Sequence, residues 1–114
     1  MVHVQQIKQA LHIDRIATQF YSWRSQNETP KAQIDMVLDR ADNIINLFEI
    51  KYSDADFRLD NDEAKKLQNR MVAFRNETKT KKALWLTLLT TYGLNEGRYS
   101  SLFVSVLTMD DLFS

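Results

Sequence analysis

The chain has 114 residues, 44% of them hydrophobic and 26% charged, with fifteen basic residues against fifteen acidic ones. That suits a single globular domain, and the formal net charge of zero leaves any nucleic-acid contact to local patches rather than to an overall field. The absence of cysteine excludes disulfide scaffolds and thiolate metal sites, and with no apolar run of membrane-span length and no signal peptide, a cytoplasmic protein without a membrane partner is expected.

VHVQQIKQALHI sets Val4, Ile7 and Leu11 at helical spacing, with Val2 and Ala10 widening the stripe. No Ser, Thr, Asp or Asn caps this helix, which implies a frayed end or a chain that starts inside a longer helix; the second is expected. His3 and His12, placed on the same helix, read as surface side chains, and two histidines are too few for a zinc hydrolase site. RIATQFYSW alternates Ile16, Thr18 and Phe20 with Ala17, Gln19 and Tyr21, the pattern of a strand, and SQNETPK is a polar loop around the only proline, Pro30.

Two further strands, Gln33 to Asp39 and Ile44 to Tyr52, flank the turn RADN. Period-two alternation puts Gln33, Asp35 and Val37 on one face of the first, with Ile34, Met36 and Leu38 on the other; Ile45, Leu47, Glu49 and Lys51 share a face of the second. Asp60 and Glu63 form a capping pair for a helix whose stripe is Ala64, Leu67, Met71 and Phe74, opposite Lys65, Lys66, Asn69 and Arg70. After a basic loop, the run from Ala83 to Leu89 is apolar on both faces and belongs in a sheet interior. Gly93 and Gly97 bracket a turn, and SLFVSVLT reads as a last strand before the acidic end MDDLFS. The expected order is α-β-β-β-α-β-β. A helix between the third and fourth strands permits a parallel crossover, so the fold class is α/β with a mixed sheet and a helix on at least one face, in a single domain over 1–114.

Asp35, Glu49 and Lys51 interrupt segments otherwise built for burial, and an unpaired buried carboxylate costs several kcal/mol. A hairpin centred near Asp42 sets Asp35 opposite Glu49, with β-carbons about 5 Å apart, and Lys51 on the Glu49 face. Two carboxylates and an ammonium so placed suit Mg2+ or Mn2+, which takes one or two carboxylates and keeps waters for substrate to displace. Glu49 and Asp35 are the candidate metal ligands, Lys51 the group that stabilises developing negative charge, and Gln33 a donor to water or phosphate. The alternative is an ordinary Asp35–Lys51 cross-strand salt bridge with Glu49 solvated at a sheet edge.

Asp35 followed by Glu49-Ile50-Lys51 resembles the Asp…(Asp/Glu)-X-Lys signature of the PD-(D/E)XK, restriction-endonuclease-like nucleases, on a hairpin in the matching order of elements. HVQQIKQALHI, YSWRS, AQIDMVLDRADNIINLFEIKYS, FRNETKTKKALWLTLLTTYGL and TMDDLF are similar to the C-terminal region of bacterial, archaeal-ATPase-like P-loop ATPases abundant in Bacteroidetes, itself similar to that nuclease fold. The resemblance implies Asp35 and Glu49 as metal ligands, Lys51 as catalytic lysine, Gln33 as an accessory residue, DNA as the nucleic acid, and an ATPase domain or another protein as partner. No GxxxxGK[ST] loop occurs, so no ATPase activity is expected, and the chain reads as a truncated or C-terminal fragment of that architecture. VHVQQIKQAL lacks the acid that the first helix of such nucleases often supplies. A homodimer stays open, because duplex-acting nuclease folds often pair.

Further candidates for nucleic-acid contact are Trp23, to stack on a base, and Arg24, to hold a phosphate; the alternative is a core tryptophan at a strand end beside an exposed arginine. Lys79, Lys81 and Lys82 form the densest basic cluster, either a phosphate contact or a solvated loop. Three readings therefore stand: a metal-dependent nuclease-like domain, an inactive nuclease-fold binding module, or a folded fragment with no independent role.

Overall fold

The computed structural model describes residues 4–26 and 32–113. The expectations for Val2, His3 and Pro30 lie outside those residues. Helix α1 (Val4–Ala10) is followed by β1 (Thr18–Arg24), β2 (Gln33–Arg40), β3 (Ile44–Lys51), α2 (Asn61–Thr78), β4 (Ala83–Thr90), a 3-10 turn at Ser100–Leu102, β5 (Ser105–Thr108) and α3 (Met109–Phe113). One five-stranded sheet runs in the order β1-β2-β3-β4-β5. β1, β2 and β3 are antiparallel neighbours, while β4 is parallel to β3 and β5 parallel to β4. The protein is thus α/β with a mixed sheet, and α2 is the crossover that the parallel β3–β4 pair requires.

Burial follows from the apolar runs. β3 and β4 lie inside the sheet and are covered on both faces, which is why INLF and LTLLT bury nearly every side chain. On one face Ile34, Val37, Ile45, Leu47, Leu86 and Leu88 pack beneath Ala64, Leu67 and Phe74 of α2. On the other, Leu38, Phe48, Leu89 and Leu107 meet Ile7 of α1, Ile13 and Leu112 of α3. The ends of α2 are set by local chemistry. The Asp60 carboxylate accepts the Glu63 backbone N–H at 2.8 Å, and Lys79, left-handed at φ 57°, returns its N–H to the Arg75 carbonyl.

Four expectations are corrected. Tyr21 pairs with Val37 but Trp23 with Ile34, so three residue steps of β2 oppose two of β1. This bulge breaks the period-two reading: Ile34 and Val37 both bury under α2, although strict alternation puts them on opposite faces. His12 is not on α1 but beyond it, in left-handed conformation at φ 62°. The last strand is shorter than SLFVSVLT, because Ser100–Leu102 forms a 3-10 turn. The acidic end is helix α3, opened by a reciprocal cap: the Asp111 carboxylate accepts the Thr108 N–H at 2.9 Å, and Thr108 Oγ1 accepts the Asp111 N–H at 3.3 Å. No helix among the described residues is long and apolar enough to cross a membrane.

Candidate functional site

β2 and β3 pair Met36 with Phe48, Val37 with Leu47, Leu38 with Asn46 and Asp39 with Ile45. Continued one step, that register faces Asp35 with Glu49. The bulge in β2 falls between Ile34 and Val37, across Asp35 and Met36, where an extra residue breaks the regular pleat. Asp35 is exposed while its neighbour Ile34 is buried.

Glu49 is the most enclosed of Asp35, Glu49 and Lys51, its side chain 13% exposed. It shares the face of Ile45 and Leu47, so it points toward α2, and there Arg70 meets it. Arg70 Nη1 donates to Glu49 Oε2 at 2.6 Å, and Lys51 Nζ lies 3.8 Å from Oε1. Lys51 keeps solvent contact, its side chain 37% exposed, and its Nζ stands 5.9 Å from the Phe57 ring centroid. Beside Lys51 on β4, Thr90 is fully buried, and its hydroxyl has no hydrogen-bond partner among the described residues.

Two polar crevices open on Glu49 and Arg70, beside a smaller apolar one. One polar crevice, of about 90 Å³, is lined by Glu49, Lys51, Glu63, Lys66, Leu67 and Arg70. The other, about 310 Å³, is lined by Gln33, Ile34, Asp35, Phe48, Glu49, Ile50 and Arg70. Asp35 and Glu49 therefore border one space, and the first crevice sets Lys51, Lys66 and Arg70 beside the carboxylates of Glu49 and Glu63. Among the described residues no three His, Cys, Asp or Glu side chains gather. Asp35 and Glu49 suit a hard divalent cation that keeps waters and substrate oxygens as its other ligands; they do not make a closed protein cage. The fit carries one condition, that Glu49 be released by Arg70.

The remaining candidates divide. Gln33 Nε2 donates to Asp35 Oδ1 at 2.9 Å, and Arg24 Nη2 donates to Gln33 Oε1 at 3.0 Å, so Arg24, Gln33 and Asp35 form one relay along the β1–β2 end. Trp23 is half-buried, its ring edge-on to Phe74 of α2 with centroids 5.2 Å apart, which is the packing alternative rather than a free stacking platform. Lys82 is bound to Asp39 at 2.6 Å and to the Arg40 carbonyl at 2.8 Å. It precedes Ala83, which pairs with Ile44, so the Lys79–Lys82 cluster sits at the far end of the sheet, roughly 16 Å of strand from Glu49. The structure does not bring that cluster to the site. Nor is the Asp35–Lys51 salt bridge present; Lys51 faces Glu49 instead.

Arg70 is the residue that sequence reading misplaced, on the solvent face opposite the Leu67 stripe. Its spacing from Lys66 and Glu63, one and two turns along the helix flank, was the available signal. At the other end of the hairpin a second polar group is buried: Arg40 Nη1 donates to Asn46 Oδ1 at 3.1 Å, and Asn46 Nδ2 donates to Thr87 Oγ1 at 2.9 Å. Arg40 also binds Asp42 at 2.6 Å and lies 5.4 Å from the Trp85 ring centroid.

No family model matches the chain, and no curated protein matches it. Among solved structures, one described as a protein of unknown function, AF1548, is similar with a TM-score of 0.61 at 15% sequence identity, over 95% of this chain and 61% of that one. The chain thus spans 61% of that neighbour's length, and at this identity the likeness is one of α/β fold alone.

Proposed function

We propose that the chain is a nuclease-like domain of the PD-(D/E)XK type that hydrolyses nucleic-acid phosphodiesters, with DNA as the expected substrate. The observation that carries the reading is the placement of Glu49 and Lys51, 3.8 Å apart at the end of β3, with Glu49 on a crevice that Asp35 also lines. Asp35 and Glu49 would hold Mg2+ or Mn2+, which when bound supplies a more acidic water and neutralises phosphoryl charge. Lys51 offers its ammonium to the developing oxyanion, and its partly exposed side chain can reach a ligand in the crevice. Gln33 holds Asp35 in place, and Arg24 in turn orients the Gln33 amide.

A second reading is an inactive module that binds nucleic acid or a protein on behalf of an ATPase. It is favoured by the Glu49–Arg70 contact, which already neutralises the better-enclosed carboxylate. Manganese-dependent cleavage of single-stranded, duplex and branched DNA separates the two. Wild type is expected to cleave at least one substrate, with the activity lost in Lys51→Ala and in Asp35→Ala. A folded wild-type protein that cleaves none of them with Mn2+ leaves the binding module.

A further inference from the structure

We infer that Arg70 is a resident counter-cation on Glu49 which a phosphate group must draw away before Glu49 can ligate a metal, so that phosphate and divalent cation enter the two crevices beside Arg70 cooperatively. The inference rests on the proposed metal site at Asp35 and Glu49.

Three observations support it. First, the contact is direct and occupies an oxygen a cation needs: Arg70 Nη1 is 2.6 Å from Glu49 Oε2, while the other oxygen faces Lys51 at 3.8 Å. With a guanidinium and an ammonium already beside one carboxylate, a further dication is repelled as long as Arg70 stays. Second, Arg70 is able to leave. Its side chain is 36% exposed and borders both crevices, whereas Glu49, at 13%, is fixed on a central strand. Third, Arg70 has donors to spare. A guanidinium carries five N–H groups, and among the described residues the Glu49 contact is the hydrogen bond Arg70 makes. Lys66, one turn earlier on the same flank of α2, opens on the first crevice and adds a second cation. Arg70 and Lys66 together suit a phosphate monoester or diester, which a guanidinium grips with two parallel bonds.

Exchange of carboxylate for phosphate on Arg70 leaves Glu49 with an uncompensated charge in an enclosed position. That charge is what a divalent cation would satisfy. Linkage then makes the effect reciprocal: whatever factor the phosphate adds to metal affinity, the metal adds to phosphate affinity. Arg70 in this account is a positioning residue, acting through Glu49 and through the ligand's phosphate.

The test is Mn2+ binding read as free Mn2+ by electron paramagnetic resonance, with and without thymidine 5′-monophosphate, against a protein-free control for the nucleotide. Wild type, Arg70→Gln, Arg70→Lys and Glu49→Gln are compared after circular dichroism has shown each to be folded. Arg70→Gln is expected to bind Mn2+ about tenfold more tightly than wild type, ~1.4 kcal/mol, and to lose the response to nucleotide. Wild type is expected to gain a similar factor when the nucleotide is added, and Arg70→Lys, which keeps the charge, to stay close to wild type. Equal or weaker Mn2+ binding by Arg70→Gln, with binding still abolished by Glu49→Gln, overturns the inference and leaves the metal site standing. Absence of saturable binding in Arg70→Gln overturns both.

Discussion

Removing either partner of the Glu49–Arg70 pair should destabilise the protein unequally, and the inequality follows from exposure. Arg70→Met keeps most of the apolar stem that packs along α2 but leaves Glu49 with an enclosed carboxylate, 13% exposed, whose remaining cation is Lys51 at 3.8 Å. Stranding a buried charge costs about 3–5 kcal/mol, and Lys51 with the open crevice reduces this to roughly 1.5 kcal/mol. Glu49→Gln is milder. The amide oxygen still accepts from Arg70, and the released charge sits on a guanidinium with 36% exposure that water can solvate, so the cost is about 0.5 kcal/mol. For a chain this size, about 4 °C of Tm per kcal/mol converts these to falls of roughly 6 and 2 °C. Urea denaturation of both variants without divalent metal checks the order, with the double variant Glu49→Gln/Arg70→Met expected to recover most of the loss in Arg70→Met. If Glu49→Gln proves the costlier change, Glu49 is not the strained member of the pair, and the argument from its burial fails.

Two other outcomes test the opposite end of the hairpin. Asn46→Ala removes the acceptor for Arg40 and the donor for Thr87, all three buried; one bond to a charged group and one neutral bond together make the expected loss about 3 kcal/mol in urea denaturation, with Mn2+ binding unchanged. Hydrogen bonding from the Arg40 guanidinium holds the Asp42 carboxyl below the usual carboxylate range. The folded-state value is depressed, so this contribution is present above the unfolded carboxylate value and is lost as pH falls through the folded one. Asp42→Asn should therefore remove part of the acid-side decline in stability measured by urea denaturation between neutral pH and strongly acidic buffer.

The strands and the long helix were legible because their signals are local. Alternation and β-branched or aromatic content marked β1 to β3, the run ALWLTLL marked an interior strand, and Asp60 with Glu63 marked the start of α2. Asp35, Glu49 and Lys51 stood out because charge interrupts burial there. What escaped reading depends on distant parts of the chain. The bulge across Asp35 and Met36 is a mismatch between two strands, and nothing within QIDMVL alone announces that Ile34 and Val37 will face the same helix. Lys82 is taken up by Asp39 and the Arg40 carbonyl, partners more than forty residues earlier in sequence. The short helix α3 was different: Thr108 and Asp111 spell its cap, and the signal was overshadowed by the strand before it.

The Glu49–Arg70 contact bears most directly on why the chain tolerates a carboxylate inside β3. A pair of this kind is a poor source of stability, since apolar residues of similar volume in its place are often neutral or stabilising. The rest of the face shows the alternative at hand: Ile45 and Leu47 on β3 and Leu67 and Phe74 on α2 pack as an ordinary apolar layer. The layer ends where the two crevices begin, and there Glu49, Arg70 and Lys51 replace aliphatic side chains while Asp35 turns outward at the bulge. A charge kept on the wall of an opening, and half-compensated by a partner that water can reach, is available to a ligand in a way that Asn46 and Arg40 are not. Those two are also polar and buried, but their donors and acceptors are satisfied within the fold by Thr87 and Asp42. The two polar groups of one hairpin therefore differ in kind: the Asn46 network closes the sheet at one end, and the Glu49 pair holds charge at the other that can be exchanged.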